Sequence, residues 1–217
     1  MTMTSSTPIT IRPAKDDEYL EATRVLFAAL ISTPLFKHLV SKVDQSIWFE
    51  FSAAQIKQSV EEKYSSLLVA QRIDTGELVG VIWSERFNKD HQPKLPSCQF
   101  PEGFNRNDFD LMAEHELEFP KQSVANDGDV VYVTEPGVAP NSQGQGIGRR
   151  MIDLIIVNAK RSGLNIILPA GSGVSGFYEK FGFEVVGKPV MLGDGTIEGP
   201  TPMRLELFHS KEGRSDA

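Results

Sequence analysis

A chain of 217 residues, 40% hydrophobic and 24% charged, has the length and composition of one globular domain with a sizeable core. Its 29 acidic residues against 22 basic give a net charge of -7, the wrong sign for neutralising many nucleic-acid phosphates, so no nucleic-acid partner is expected. The lone Cys98 excludes an internal disulfide framework and suits a reducing, cytoplasmic setting, and no apolar run approaches the roughly twenty residues that span a bilayer, so no membrane association is expected.

Residues 1–8 lack the basic and apolar regions of a signal peptide and read as a flexible polar leader. ITIRPA (Ile9 to Ala14) alternates like a short strand. Behind it Asp16 or Asp17 can cap a helix in which Tyr19, Ala22, Leu26 and Ala29 recur at helical spacing. Pro34 to Tyr64 carries Phe36, Leu39, Trp48, Phe51, Ile56 and Val60, consistent with one or two further helices. Ser65 to Phe87 reads as a β-hairpin around Asp74, Thr75 and Gly76. Asn88 to Gly128 is a polar, proline-rich insertion between the third and fourth strands, with one helix predicted from Asp108 to Phe119. Val131 to Pro140 follows as a strand interrupted by Pro136-Gly137. Next come a helix from about Gly146 to Ser162 with Ile147, Met151, Leu154 and Ile155 on one face, and a buried strand from Asn165 to Gly171. A short helix around Ser175 to Phe183, strands at Glu184 to Gly187 and Met203 to Leu207, and a charged tail at 209–217 complete a single domain spanning 9–208.

PNSQGQGIGRR (Pro140 to Arg150) places glycines at 144, 146 and 148 directly before two arginines. Such glycines let backbone N–H groups converge at a helix start, where orphan donors and the helix dipole favour an anion. Arg149 and Arg150 add positive charge. In the strand ahead of the loop, Pro136-Gly137 is expected to remove a ladder hydrogen bond and splay the strand from its neighbour, freeing backbone for a ligand. A P-loop fits poorly, because arginines stand where its lysine and Ser or Thr belong. The dinucleotide fingerprint also fits poorly, having two residues between its last glycines where one intervenes here. His38, His91, His115 and His209 are scattered, so no metal is expected.

A third loop fits. Gln143-Gly144-Gln145-Gly146-Ile147-Gly148, with Val138-Ala139-Pro140 before it and FYEKFGF (Phe177 to Phe183) after it, resembles the paired motifs of the GNAT superfamily of acetyl-CoA-dependent acyltransferases. The resemblance implies a mixed α/β sheet of about six to seven strands, splayed at the fourth and flanked by helices. It implies acetyl-CoA in the cleft, the pantetheine arm against backbone near Pro136 and Val138, and the pyrophosphate on amides of Gln143 to Arg149, with Ile147, Gly171 and Phe177 alongside. The acetyl group then passes directly to an amine. Tyr178 matches the tyrosine that protonates the departing thiolate, a role suited to a phenol that stays protonated at neutral pH. Glu135 is the nearest carboxylate for a base, with Tyr132 and Thr134 expected on the alternate face; a solvated or salt-bridged Glu135 is the competing reading. Gly171 stands where the family often has asparagine, and AGSGVSG (Ala170 to Gly176) resembles the small-residue segment of many fungal small-molecule members.

The resulting expectation is a single-domain N-acetyltransferase acting on the amine of a small molecule, as a monomer or homodimer. In this fold the acceptor site is lined by the first helices, the hairpin and the C-terminal strands, which here include Phe27, Phe36, Trp48, Trp83 and Met191 to Pro202. Such aromatics suit an apolar amine, or serve only as core. The rivals are a protein N-terminal or lysine acetyltransferase, which needs an open groove that the insertion could cover, and a non-catalytic CoA-binding sensor.

Overall fold

The computed structural model describes residues 8–95 and 98–208; the expected leader, Pro8 apart, and the tail lie outside them. In chain order the elements are β1 (Ile9–Pro13), α1 (Tyr19–Leu30), α2 (Pro34–Val40), α3 (Gln45–Glu61), β2 (Ser65–Arg72), β3 (Leu78–Phe87) and α4 (Arg106–Asp127). There follow β4 (Val130–Val138), α5 (Ile147–Ser162), β5 (Asn165–Ala170), α6 (Ser175–Glu179), β6 (Glu184–Val185), β7 (Met191–Leu192), β8 (Ile197–Glu198) and β9 (Thr201–Leu205). Seven strands form one mixed sheet in the order β1-β2-β3-β4-β5-β9-β6, in which only β4 and β5 run parallel; β7 and β8 make a separate small hairpin that the sequence reading did not anticipate. No helix among the described residues is long and apolar enough to cross a membrane.

The strands bury residues on both faces because helices cover both. On one face Ile147, Met151, Ile152 and Ile155 of α5 pack over Ile82, Val133, Ile166 and Leu168. Gly80 makes this approach possible, since a Cβ there would stand 2.9 Å from Met151 Sδ. On the other face α1 packs Tyr19, Ala22 and Leu26 against Leu67, Val69 and Val81, while Phe119 and Val124 of α4 cover Phe87, Val130 and Ile167.

Three local expectations need correction. Neither Asp16 nor Asp17 caps α1. A 3-10 turn at Asp16–Glu18 precedes it, and Glu18 accepts from the Lys15 N–H at 2.8 Å while gripped by Arg12 at 2.6 and 2.7 Å. These hydrogen bonds hold the Glu18 carboxyl down at about 2. The helix predicted at Asp108 to Phe119 starts earlier and continues through Pro120. An interior proline costs on the order of 3 kcal/mol, because it cannot donate to the carbonyl four residues back, here that of Glu116. Burial of Pro120 itself, together with Val124 and Phe119 packed on the sheet, offsets that cost.

The third correction concerns β4, which runs unbroken through Pro136-Gly137, with Ile82 opposite Pro136 and Val81 opposite Gly137. The Ala139 N–H donates to the Val79 carbonyl. In an antiparallel ladder bonded and non-bonded positions alternate, so Val138 and Pro136 fall at non-bonded positions. The missing proline N–H costs the ladder nothing. The irregularity lies instead at Thr134: Val133 pairs with Ser84 and Glu135 with Trp83, leaving Thr134 as a bulge. Splaying occurs on the other side of the strand, where pairing with β5 stops after Tyr132 opposite Ile167 while both strands continue.

Candidate active site

Beyond Tyr132 the diverging β4 and β5 leave a V-shaped gap, and a cleft of about 1270 Å³ runs from it under α1, α2 and α4. By the ladder alternation, the Val138 N–H and the Pro136 carbonyl turn toward the gap. The glycine loop sits at its mouth. Gly144 and Gly146 both take positive φ (74° and 78°), and a Cβ on either would meet no atom within 4 Å. The amides from Gly144 to Arg149 make no hydrogen bond among the described residues, and no side chain caps α5. Unpaired amides in front of open space at a helix N-terminus fit the pyrophosphate of acetyl-CoA.

The loop is held ready by its neighbours. Arg72 Nη2 donates to the Oγ of buried Ser142 at 3.0 Å, Gln143 Nε2 to the Val138 carbonyl at 3.0 Å, and Gln145 Nε2 to the Asn141 carbonyl at 3.2 Å. The cleft is lined by Pro136, Val138, Gln143, Gly144, Gly146, Ile147, Gly148, Arg149, Gly171 and Phe177 from the expected cofactor set, and by Tyr178 and Glu135. Gln145 is outside the lining, its side chain turned back onto the loop. The two arginines part company: Arg149 lies in the lining with its guanidinium 5.3 Å over the Phe181 ring, while Arg150 donates to the Ile9 carbonyl at 2.7 Å.

Tyr178 is buried against Phe177 and Phe183, and burial pushes its hydroxyl well above the ordinary phenol range, so it holds its proton at neutral pH. The Thr134 bulge sets the other side of the site. Strict alternation would have put Glu135 opposite Tyr132; one extra residue turns Glu135 onto the Tyr132 face, under α4. The expectation that Tyr132 occupies the alternate face is therefore overturned. Among the described residues no cation pairs with Glu135, and burial alone lifts its carboxyl to about 7, a value matched to a base working near neutrality.

Glu135 has company that the sequence reading missed. Glu116 of α4 also lines the cleft, and burial, reinforced by the Glu135 charge, lifts its carboxyl to about 8. Tyr132 lies between these acids and Glu85, its hydroxyl pushed far up by burial and then by the neighbouring carboxylates. A signal was available in the sequence. Met112, Pro120 and Val124 are buried at four-residue steps along α4, and Glu116 is the carboxylate in that stripe.

The far part of the cleft is aromatic. Phe27, Phe36, Trp48 and Trp83 line it as expected, joined by Phe51, Phe100, Phe104 and Phe109; of the C-terminal stretch Thr196, Ile197, Glu198 and Pro200 reach it, whereas Met191 does not. Trp48 stacks on Phe104 at 5.6 Å, and Phe104 on Phe100 at 4.3 Å.

Residues 118–185 match the acetyltransferase (GNAT) domain family. Among solved structures the fold is similar to a mosquito arylalkylamine N-acetyltransferase-like protein, 5b, with TM-score 0.67 and 17% identity over 91% of this chain and 99% of that one. It is similar to the Drosophila melanogaster polyamine N-acetyltransferase, with TM-score 0.62 and 12% identity over 92% and 100%. It is also similar to yncA, a putative acetyltransferase from Salmonella typhimurium with its cofactor acetyl-CoA, with TM-score 0.56 and 18% identity over 94% and 96%. A comparison with curated protein sequences finds no match. The chain thus has the GNAT fold, a mixed sheet flanked by helices, and the match to the acetyltransferase domain covers its residues 118–185, from the end of α4 to β6.

Proposed function

We propose that the protein moves the acetyl group of acetyl-CoA to the primary amine of a small molecule. The observation that carries this reading is one cleft joining an anion-ready glycine loop, a protonated tyrosine and a carboxylate poised near neutrality. When bound, acetyl-CoA supplies an activated thioester. The amides from Gly144 to Arg149 hold the pyrophosphate, and Val138 backbone orients the arm that enters the gap. Glu135 takes a proton from the acceptor ammonium, leaving a neutral amine to attack. As the N–C bond forms and the C–S bond breaks, the departing thiolate takes the Tyr178 proton, and the second proton, which the nitrogen sheds in becoming an amide, returns through solvent to the Tyr178 phenolate. No covalent enzyme intermediate is needed.

Small amines are favoured over peptides because α4 and the aromatic segment before it wall the cleft where a peptide would need an open groove. In support, structural neighbours include arylalkylamine and polyamine N-acetyltransferases. The test is release of free thiol from acetyl-CoA, with a panel of primary amines set against lysine-containing and N-terminal peptides. Turnover with amines alone supports the reading; turnover only with peptides overturns the substrate class. Tight acetyl-CoA binding without transfer to either panel makes the protein a sensor.

A further inference from the structure

One stripe of α4 faces the cleft. Phe109, Met112, Ala113 and Glu116 line it, at the i, i+3, i+4, i+7 spacing of a single helical face. At the inner end the stripe closes on the half-buried Glu116, whose Oε1 is shielded from solvent. The Tyr132 hydroxyl hydrogen-bonds to the Glu116 carboxyl, but Glu116 Oε1 has no hydrogen-bond partner among the described residues, and no cation contributes to its environment. A carboxylate in that position is costly unless something meets it. Two other buried polar atoms of cleft-lining residues, Trp83 Nε1 and Thr134 Oγ1, also lack partners. Buried groups without partners are rare in folded proteins, so three orphans among the residues lining one cleft point to a polar ligand.

At the outer end the stripe is apolar. The Phe109 ring lies 4.9 Å from that of Phe100 and 5.4 Å from that of Phe104. A cation already covers part of this cluster, since the Arg106 guanidinium stands 4.8 Å over the Phe100 ring. Asp110 pairs with Arg106 at 2.6 Å and holds it there, so a second cation finds that ring face already taken. From Phe109 to Glu116 an α-helix rises about 10 Å.

The geometry points to α4 as the element that selects the acceptor: Glu116, beside Glu135, receives the ammonium group, and the rings around Phe109 receive an apolar or aromatic end about 10 Å away. This rests on the acetyltransferase reading and narrows it to amphipathic monoamines, with short amines and diamines as poor substrates. Facing Glu116 are Tyr132 and Glu135 from β4, with Glu85 of β3 and its neighbour His91 behind Tyr132. With Glu116 lifted to about 8, its carboxyl holds a proton at neutral pH before the amine arrives. The incoming ammonium replaces that proton, which goes to solvent; the ammonium later gives its own proton to Glu135 before attack.

The experiment measures kcat/KM with acetyl-CoA for n-alkylamines and ω-phenylalkylamines of increasing length, with diamines as counterparts. Calorimetry of the same amines on the CoA-loaded protein, in buffers of differing ionisation enthalpy, reads proton release. Wild type is expected to prefer a phenylalkylamine long enough to span the stripe over ethylamine by about 30-fold or more, and over the matched diamine by about tenfold. Glu116→Gln is expected to raise the KM for that amine about tenfold, a larger change than any in kcat, and to abolish proton release. Phe109→Leu, a milder core change, is expected to lower the phenylalkylamine-to-ethylamine ratio. Length-independent rates, preference for diamines, or an unaltered amine KM in Glu116→Gln overturns the proposal even if amines are acetylated. If wild type acetylates no amine yet binds them with the expected length preference and Glu116 dependence, the catalytic reading falls and the assignment of α4 stands.

Discussion

In the proposed acetyltransferase the two halves of the cleft recognise their ligands with different parts of the chain. The cofactor half is built from backbone: unpaired amides between Gly144 and Arg149 and the unpaired edge of β4, all within about one turn of the β4-to-α5 connection. The acceptor half is built from side chains of α1, α2, α3, α4, β3 and β4, brought together only by the fold. Backbone recognition needs a specific conformation and open space, which glycines supply at neighbouring positions. Side-chain recognition needs particular groups at particular places, and any element that reaches the cleft can supply them.

The comparison is broken most severely in the backbone half. Gly146→Glu puts a carboxylate into the open space before α5, and acetyl-CoA affinity measured by calorimetry is expected to fall by about 100-fold or more, through like charge at the phosphate site. Because φ is 78° at Gly146, any side chain carries some strain, on the order of 1 kcal/mol. Gly146→Asn tests that strain alone, asparagine tolerating the left-handed region. If the Asn variant loses affinity as completely as the Glu variant, geometry outweighs charge at the loop.

Tyr178 stands where the halves meet. Tyr178→Phe keeps the ring contacts with Phe177 and Phe183 and removes the hydroxyl, so kcat is expected to fall on the order of 100-fold with acetyl-CoA affinity unchanged. Equal losses in binding and kcat would make the hydroxyl a cofactor contact instead of a proton donor.

On the acceptor side, Glu135 must be ionised to accept a proton. With its carboxyl lifted to about 7, kcat/KM for an amine is expected to rise with pH through that value, and Glu135→Gln to lose this limb together with about tenfold or more in rate. Stability runs the other way. A carboxyl whose folded value lies above its unfolded one binds more protons when folded, so stability falls as pH rises from about 4.5 to about 7. Thermal melts of Glu135→Gln should therefore gain on wild type above neutrality and converge with it in acid.

What the sequence made legible follows the same division. The loop, the strands around it and Tyr178 could be found because their determinants are contiguous: glycine spacing, a proline, and an aromatic motif at a fixed distance. The position of the β4 irregularity was not legible. Pro136 was the visible cue, yet it falls at a non-bonded ladder position, and the bulge at Thr134 depends on how β3 meets β4. That single residue of register decides which face carries Glu135. Glu116 was obscured for a related reason, since Pro120 argues for a helix ending at Phe119, whereas packing of Phe119 and Val124 on the sheet carries the helix onward.

Arg149 and Arg150 give the finest test, because the sequence treats them alike and the structure does not. Arg149 lies in the cleft lining over Phe181; Arg150 is turned to β1, where it donates to the Ile9 carbonyl at 2.7 Å. An exposed arginine near a phosphate is worth about 1 kcal/mol, so Arg149→Ala is expected to weaken acetyl-CoA binding by about threefold to tenfold, with the loss shrinking in high salt. Arg150→Ala removes a hydrogen bond between α5 and the sheet edge, also worth about 1 kcal/mol, and is expected to lower Tm by about 2–4 °C while leaving acetyl-CoA affinity in place. Equal weakening of binding by both variants would mean that the summed positive field at the α5 N-terminus governs cofactor capture. Separate effects would mean that placement governs it, and that one residue of helical rotation divides a binding arginine from a structural one.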